Sequence, residues 1–235
     1  MISFIIPAHN EEAWVGRCVS SIHRAIELLG SRACEILVVD DSSTDRTASV
    51  AEENGARVIR VGHRHISATR NTGAKAARGD VLFFVDADTI VGASGIQSAL
   101  KAMRDGAAGG GFVPRYDGIL PLWFRLVYPF FVVVVRLLRQ PGGSCLFCSR
   151  SGFEAIGGFS EAHFAAEDAV FVTALKRHGQ FVVPRHRVIT SGRNLRVHSF
   201  WSFLRLLLRL ASRGPNGFRD RRGLDIWYSP VRHKS

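Results

Sequence analysis

The alternation of apolar runs with helix-like segments is the feature that most limits how this chain folds. Apolar, strand-forming runs occur at Ile2 to Ile6, Ile36 to Val39 and Val81 to Val85, and predicted helices separate them. Alternation at this spacing is typical of a parallel sheet that is covered by helices on both faces. The sequence therefore predicts an α/β fold with a mostly parallel central sheet.

Length and cysteine usage place limits on the class of protein. A chain of 235 residues is long enough for one sizeable core, and we expect one domain over residues 1–193 followed by a separate segment over 194–235. The N-terminus enters a strand without the basic region or cleavage site of a secretory signal, which favours a cytoplasmic location. The single Cys145-x-x-Cys148 pair lacks a second pair nearby, so buried thiols are favoured over a zinc site.

Positive charge is concentrated at the C-terminal end. The formal net charge is +11, and residues 185–235 hold 12 Lys and Arg against 2 Asp. Arg205, Arg209 and Arg213 share one face of a predicted helix over 197–213, and apolar residues fill the opposite face. Such a helix lies in a membrane interface or packs on the core. We expect this basic amphipathic tail to bind an anionic membrane surface on the cytoplasmic side, and its apolar face argues for lipid over nucleic acid.

A second apolar segment covers residues 119–138. Its uninterrupted part is too short to span a bilayer, which needs about 20 apolar residues. Arg125, Pro129 and Arg136 also interrupt it. The pattern favours a buried or interfacial pair of helices hinged at Pro129.

Two carboxylates follow the apolar run that ends at Val85. Asp86 and Asp88 are separated by one residue, so on an extended backbone both side chains point the same way. Ligands bind at the carboxyl ends of parallel strands, and two hard oxygen donors suit Mg or Mn bound to phosphate. A solvated turn is the alternative, since Asp is common in turns. The pair Glu167-Asp168 likewise opens a predicted helix, where acids also stabilise the helix dipole.

Several ordered motifs together resemble the family 2 glycosyltransferases of the GT-A fold, from Ile2 to about Arg193. These motifs are Pro7-Ala8-His9-Asn10-Glu11-Glu12, Asp40-Asp41-Ser42-Ser43-Thr44-Asp45, Arg70-Asn71-x-Gly73, Asp86-Ala87-Asp88, Gly157-Gly158-Phe159 and Glu167-Asp168. The resemblance implies a Rossmann-like GT-A fold. It also implies a metal-dependent, inverting transfer of a sugar from a nucleotide-diphosphate sugar to a hydroxyl acceptor, which is lipid-linked or membrane-proximal.

The resemblance also assigns roles to residues. It implies one set of contacts with the nucleotide sugar: Pro7, Ala8, Asn10, Glu11, Asp41, Arg70, Asp86, Ala87, Asp88 and Arg193. Asp88 would hold the divalent cation, Mn or Mg, with Asp86 beside it on the ribose and pyrophosphate side. Asp168 would be the catalytic base, and Glu167 would help to position the acceptor. His198 would add a late third metal ligand, or is a surface histidine.

The Gln-x-x-Arg-Trp motif of processive members is absent, and the corresponding region reads Thr190-Ser191-Gly192-Arg193. We therefore expect the transfer of one sugar rather than polymerisation. Arg193 contacts the pyrophosphate or the acceptor, or is one more arginine of the basic tail.

Two other functions stay open. Nucleotidyl transfer to a sugar phosphate would need a glycine-rich, basic loop after the first strand, where this chain has Pro7 to Glu12. The other is a non-catalytic, membrane-associated protein on the same fold.

Overall fold

The apolar runs form strands, as the sequence predicts. A computed structural model describes residues 1–30, 33–162 and 166–197. The strands of the described part are β1 (Ile2–Ala8), β2 (Cys34–Asp41), β3 (Arg57–Val61), β4 (Val81–Val85), β5 (Thr89–Ile90), β6 (Gly109–Gly111), β7 (Val113–Tyr116), β8 (Cys145–Ser149), β9 (Phe181–Val182) and β10 (Arg187–Thr190). The helices are α1 (Val15–Leu28), α2 (Thr47–Glu53), α3 (Ile66–Ala76), α4 (Ala93–Arg104), α5 (Leu122–Leu138), α6 (Arg150–Ala155), α7 (Glu167–His178) and α8 (Arg193–Val197).

The central sheet has the strand order β3-β2-β1-β4-β8-β6-β9. Strand β8 runs antiparallel to both of its neighbours, and every other pairing in this sheet is parallel. The predicted mostly parallel sheet is therefore confirmed. A smaller sheet, β5-β10-β7, follows the carboxyl end of β4. It was not predicted, because β5 is only two residues long.

Both faces of the central sheet are buried against helices. Side chains alternate between the faces, so Phe83 packs on the side of α1 and α4, while Leu82 and Phe84 pack on the side of α3, α6 and α7. Phe84 makes edge contacts with Phe159 and Phe171, whose rings stack with their centroids 3.9 Å apart. Each buried aromatic ring contributes about 1.5–3 kcal/mol through removal of apolar surface from water. Val85, the last residue of β4, therefore lies in a rigid and buried environment.

The glycines of β6 allow a close approach to the neighbouring strands. A Cβ atom on Gly110 would lie 2.3 Å from the ring of Phe147 and from the carbonyl oxygen of Val182. Only glycine fits between β8 and β9 at this point.

The start of α2 is stabilised from the turn after β2, where the carboxylate of Asp45 accepts a hydrogen bond from the amide of Thr47. Ser43 and Thr44 bind the turn after β1, where Asn10 lies. Helix α4 begins at Ala93, and Gly92 precedes it in extended conformation.

The segment over 119–138 forms one helix, α5, rather than the predicted hinged pair. Pro129 lies inside the helix and removes the hydrogen bond to the carbonyl group of Arg125. Both residues are exposed, so water is available to that carbonyl group and the helix continues. Within the described ranges, no helix is long and apolar enough to cross a membrane. The tail helix was predicted over 197–213, and all of it after Val197, including His198, lies outside the described residues.

Candidate active site

The Asp86-Ala87-Asp88 motif forms a tight turn between β4 and β5. The amide of Asp86 donates to the carbonyl oxygen of Ser144 over 3.0 Å, and the amide of Thr89 donates to the carbonyl oxygen of Asp86 over 2.9 Å. Ala87 is buried in this turn. The turn therefore fixes both carboxylates at the carboxyl end of the central strand β4, where the sequence places them.

Asp88 lies in a buried, polar corner. Its Oδ1 accepts a hydrogen bond from the hydroxyl of Thr190 over 3.2 Å, and its Oδ2 lies 3.4 Å from Nη2 of Arg193. Burial and the nearby Asp86 carboxylate raise the pKa of Asp88 to about 7. A bound cation would stabilise the charged form of this carboxyl group, which burial disfavours.

The donor atoms of this corner fit a hard divalent cation. Asp88 and Asp86 offer carboxylate oxygens, which Mg and Mn prefer. No group of three or more His, Cys, Asp or Glu in the described part of the chain converges as a complete metal cage would. Phosphate oxygens or water would have to supply the remaining ligands, as is usual for Mg.

Arg70 joins the two acidic motifs. Its side chain is only 2% exposed, and its guanidinium donates to Oδ1 of Asp86 and to Oε1 of Glu167, each over 2.9 Å. It also lies over the ring of Phe159, 5.1 Å from the centroid. A planar guanidinium holds two carboxylates in fixed directions, which a lysine does not. Arg70, expected beside the nucleotide, thus pairs with Glu167, which lies 97 positions away in the sequence.

The acidic pair begins helix α7. Glu167 is nearly buried, and burial raises its pKa although the charge of Arg70 opposes the shift. The carboxylate of Asp168 accepts a hydrogen bond from the amide of Ala169 over 2.7 Å. A Cβ atom on Gly143 would lie 3.2 Å from the Asp168 carboxylate and 3.3 Å from Nη2 of Arg70. Gly143 was not predicted as a site residue, and its proximity to Asp168 has no signal in the sequence.

The rest of the Arg70-Asn71-x-Gly73 motif has structural roles. The amide side chain of Asn71 donates to the carbonyl oxygen of Phe159 and accepts from the amide of Phe159, each over 2.9 Å. It also donates to Glu161. A Cβ atom on Gly73 would lie 2.4 Å from Ile5, so only glycine allows α3 to pack this closely on β1.

The turn after β1 is braced by the turn after β2. The amides of Asn10, Glu11 and Glu12 donate to the side chains of Ser43, Thr47 and Asp45, respectively. These amides are therefore engaged by protein oxygens. Asn10 has a positive φ of 56°, and its side-chain oxygen accepts from the amide of Thr44 over 2.7 Å. Pro7 and Ala8 form the last two residues of β1.

Glu11 and Arg193 form a bidentate ion pair across the site. Nη1 of Arg193 donates to Oε2 of Glu11 over 2.8 Å, and Nη2 donates to Oε1. The guanidinium lies 5.8 Å from the ring centroid of Trp14. Glu11, Arg193 and Asp88 thus form a chain of charges beside the β4 turn, which places Arg193 within the site rather than on a basic tail.

Asp41 holds a loop in place. Its carboxylate accepts hydrogen bonds from the amides of Arg64 and His65 and from the hydroxyl of Thr69. It is buried at the end of β2. Asp41 therefore fixes the start of α3, the helix that carries Arg70, and its predicted contact with the nucleoside stays a prediction.

Cys145 and Cys148 are separate buried thiols. Strand β8 directs them to opposite faces of the central sheet, where each belongs to a different apolar cluster. They cannot share a metal ion, and the prediction of ordinary buried thiols is confirmed.

Comparison with known proteins places the chain in a family. The model of glycosyl transferase family 2 matches residues 3–155. The chain belongs to glycosyltransferase family 2. The match includes Arg70, Asp86 and Asp88 and ends before Glu167.

Two curated relatives of this family 2 member share part of its sequence. It is 35% identical over 102 residues to an uncharacterized glycosyltransferase, EpsJ, of Bacillus subtilis, covering 41% of this chain and 28% of that protein. It is 37% identical over 100 residues to an undecaprenyl-phosphate 4-deoxy-4-formamido-L-arabinose transferase of Pseudomonas paraeruginosa, covering 37% of this chain and 28% of that protein. The match therefore spans less than a third of the length of either relative.

The fold of the family 2 member also matches solved structures. A mannosyltransferase from Pyrobaculum calidifontis, in complex with GDP-Man and Mn2+, superposes with a TM-score of 0.66 and 19% identity, covering 93% of this chain and 66% of that chain. At this identity the likeness shows the fold alone. The predicted GT-A fold is confirmed.

Proposed function

We propose that this chain transfers a single sugar from a nucleotide-diphosphate sugar to a hydroxyl acceptor, with inversion at the anomeric carbon. One observation carries the proposal: the buried guanidinium of Arg70 holds Asp86 and Glu167 together. Asp86 belongs to the turn that would face the donor, and Glu167 adjoins the candidate base Asp168. The two ion pairs support a single site in which the proposed donor contact and the proposed base lie together.

Asp168 is the proposed general base. Its carboxylate takes the proton of the acceptor hydroxyl as that oxygen attacks the anomeric carbon. A new bond forms between the acceptor oxygen and the sugar, and the bond between the sugar and the diphosphate breaks. The nucleoside diphosphate leaves with the electron pair. The single displacement inverts the configuration and needs no covalent intermediate with the protein.

Asp88 and Asp86 would hold a divalent cation, Mn or Mg. When bound, the cation supplies a Lewis acid that neutralises charge on the diphosphate. The raised pKa of Asp88 and the carboxylate oxygens of the site support this assignment, as does the Mn2+ in the Pyrobaculum mannosyltransferase. Arg193 adds a positive charge beside Asp88 and is a proposed contact of the pyrophosphate.

The proposed acceptor carries its hydroxyl on a lipid, at the cytoplasmic face of a membrane. Support comes from the relative named as an undecaprenyl-phosphate transferase. Nucleotidyl transfer is the less favoured function, because the amides after β1 are bonded to Ser43, Thr47 and Asp45 and do not form a phosphate-binding loop.

A thermal-shift screen of nucleotide sugars, with and without Mn, tests the proposal. A donor present at about a hundred times its dissociation constant stabilises the folded state by about 2.7 kcal/mol. We expect stabilisation that requires Mn and is lost in Asp88→Asn. Asp105→Asn, at an exposed carboxylate paired with Lys101, is the matched control and should respond as the wild type does. Stabilisation by nucleoside triphosphates alone, with pyrophosphate release, would support nucleotidyl transfer. No stabilisation by any nucleotide sugar would support a non-catalytic protein.

A further inference from the structure

Helix α5 presents a wide apolar surface to solvent. Its inner side chains, Val132 and Val135, pack against Val113. The outer side chains are exposed: Leu126 is 65% exposed, Phe130 is 74% exposed and Leu137 is 77% exposed. The remaining exposed apolar side chains of this helix are Leu122, Val127, Phe131, Val133, Val134 and Leu138. Contiguous apolar surface of this kind on a soluble protein marks an interaction site.

The charged residues of the segment that carries this surface are all positive. Residues 118–140 contain Arg125, Arg136 and Arg139 and no Asp or Glu. Arg125 and Arg139 are exposed. An apolar helix face bordered by arginine complements an anionic bilayer, whose headgroups attract basic side chains while the acyl boundary accepts the apolar ones. In a two-fold dimer through this face, the arginines would meet one another without an acidic partner from the helix.

The length of α5 allows it to lie on a bilayer without crossing it. Its 17 residues extend about 26 Å, whereas a spanning helix needs about 20 apolar residues. The described chain also ends beside the start of α5, because Arg196 donates to the carbonyl oxygen of Asp117 over 2.9 Å. Residues 198–235, which hold eight Lys and Arg against two Asp, therefore begin at the same edge of the molecule.

We propose that the exposed face of α5 docks on an anionic membrane surface, with Leu126, Phe130 and Leu137 entering the boundary between headgroups and acyl chains. This surface is distinct from the predicted tail helix, and its docking does not depend on the transferase reaction.

Docking through α5 has a consequence for the candidate site. Gln140 donates to the carbonyl oxygen of Ala169 over 3.3 Å, and Lys176 donates to the carbonyl oxygen of Leu138 over 2.7 Å. The C-terminal end of α5 is thus fixed to α7, the helix that starts with the Glu167-Asp168 pair. A bilayer bound to α5 lies next to the element that carries the candidate base.

Co-sedimentation with vesicles tests the proposal on the full chain. The vesicles are mixtures of phosphatidylglycerol and phosphatidylcholine, with phosphatidylcholine alone as the uncharged comparison. We expect Leu137→Asp to weaken binding to the anionic vesicles by about tenfold, and Leu126→Asp with Leu137→Asp by about a hundredfold. Leu28→Asp is the matched control: Leu28 is 71% exposed on α1, and its replacement should leave binding unchanged.

Each other result contradicts the proposal. If the wild type does not bind anionic vesicles, or if the double variant binds as the wild type does, α5 is not the docking surface. If the double variant dissociates an oligomer by analytical ultracentrifugation while vesicle binding is unchanged, a second copy covers the face. If it lowers the melting temperature well below that of Leu28→Asp without changing vesicle binding, residues 198–235 of the same chain cover it.

Discussion

Nη2 of Arg70 donates to Oδ1 of Asp86 over 2.9 Å from a side chain that is almost completely buried. A charge in that position is stable only when it is paired, because burial of a lone guanidinium costs several kcal/mol. The same guanidinium pairs with Glu167. Arg70 is therefore the residue on which the geometry of the site depends.

Replacing Arg70 should destabilise the protein strongly. Arg70→Met leaves Asp86 and Glu167 without the positive charge of the guanidinium, and breaking a buried ion pair in this way costs about 3–5 kcal/mol. Arg70→Lys keeps the charge but loses the fork that reaches both carboxylates. We expect it also to be destabilised, by less than Arg70→Met. Urea unfolding measures both. Arg104→Met, at an exposed arginine in the last turn of α4, should change stability by less than about 0.5 kcal/mol. Equal effects at positions 70 and 104 would contradict the role of Arg70.

Asn71 should stabilise the loop that carries Phe159. Asn71→Ala removes the two hydrogen bonds between the Asn71 side chain and the backbone of Phe159. The buried backbone amide of Phe159 then lacks its side-chain partner, at a cost of about 2 kcal/mol. Denaturant unfolding of this variant and of Gln97→Ala, at an exposed position of α4, measures the difference. A loss no larger than that of Gln97→Ala would show that Phe159 is held by ring packing alone.

Glu35 should contribute to the loss of stability in acid. Burial acts to raise its pKa, but hydrogen bonds from the Ser3 hydroxyl and the Arg78 amide, with the charges of Arg57 and Arg78, outweigh burial and lower the pKa. A lowered folded-state pKa gives stability that is present above the unfolded value of about 4.3 and is lost as pH falls through the folded value. Glu35→Gln should therefore have a flatter acid limb in a plot of unfolding free energy against pH. An acid limb as steep as that of the wild type would contradict this assignment.

The cysteines should differ in reactivity. Cys18, Cys145 and Cys148 are fully buried, and burial raises the pKa of each thiol. Cys34 is partly exposed at the start of β2. Iodoacetamide should therefore modify Cys34 first in the native protein and all four thiols in urea, since the thiolate is the reactive form. Mass spectrometry of the peptides measures this. Early modification of Cys145 or Cys148 would contradict the burial of β8.

Much of the fold could be predicted from the sequence, because buried parallel strands are continuously apolar. This pattern predicted β1, β2 and β4 and placed Asp86 and Asp88 at the end of β4. The position of Gly143 beside Arg70 and Asp168 could not be predicted in the same way. A contact between a loop and a distant helix produces no pattern in the local sequence.

The residues of the candidate site could be predicted from the sequence, but the contacts between them could not. The resemblance named Arg70, Glu167 and Arg193, yet the ion pairs of Arg70 with Glu167 and of Arg193 with Glu11 join residues 97 and 182 positions apart. Such pairs depend on tertiary packing and have no periodicity. The hinge expected at Pro129 was wrong. The carbonyl group of Arg125, which loses its hydrogen bond, belongs to an exposed residue, so water is available to it and the helix continues.

The role of Asp168 as the base is the central claim, and the rate of nucleoside diphosphate release tests it most directly. The donor would be the one that the thermal-shift screen identifies, and an extract of polar lipids would be the acceptor source. We expect Asp168→Asn to lower the rate by about a hundredfold or more while the donor affinity stays within about twofold. Glu154→Gln, at an exposed carboxylate of α6, should react at the wild-type rate. Release by Asp168→Asn at a rate near that of the wild type would contradict the account.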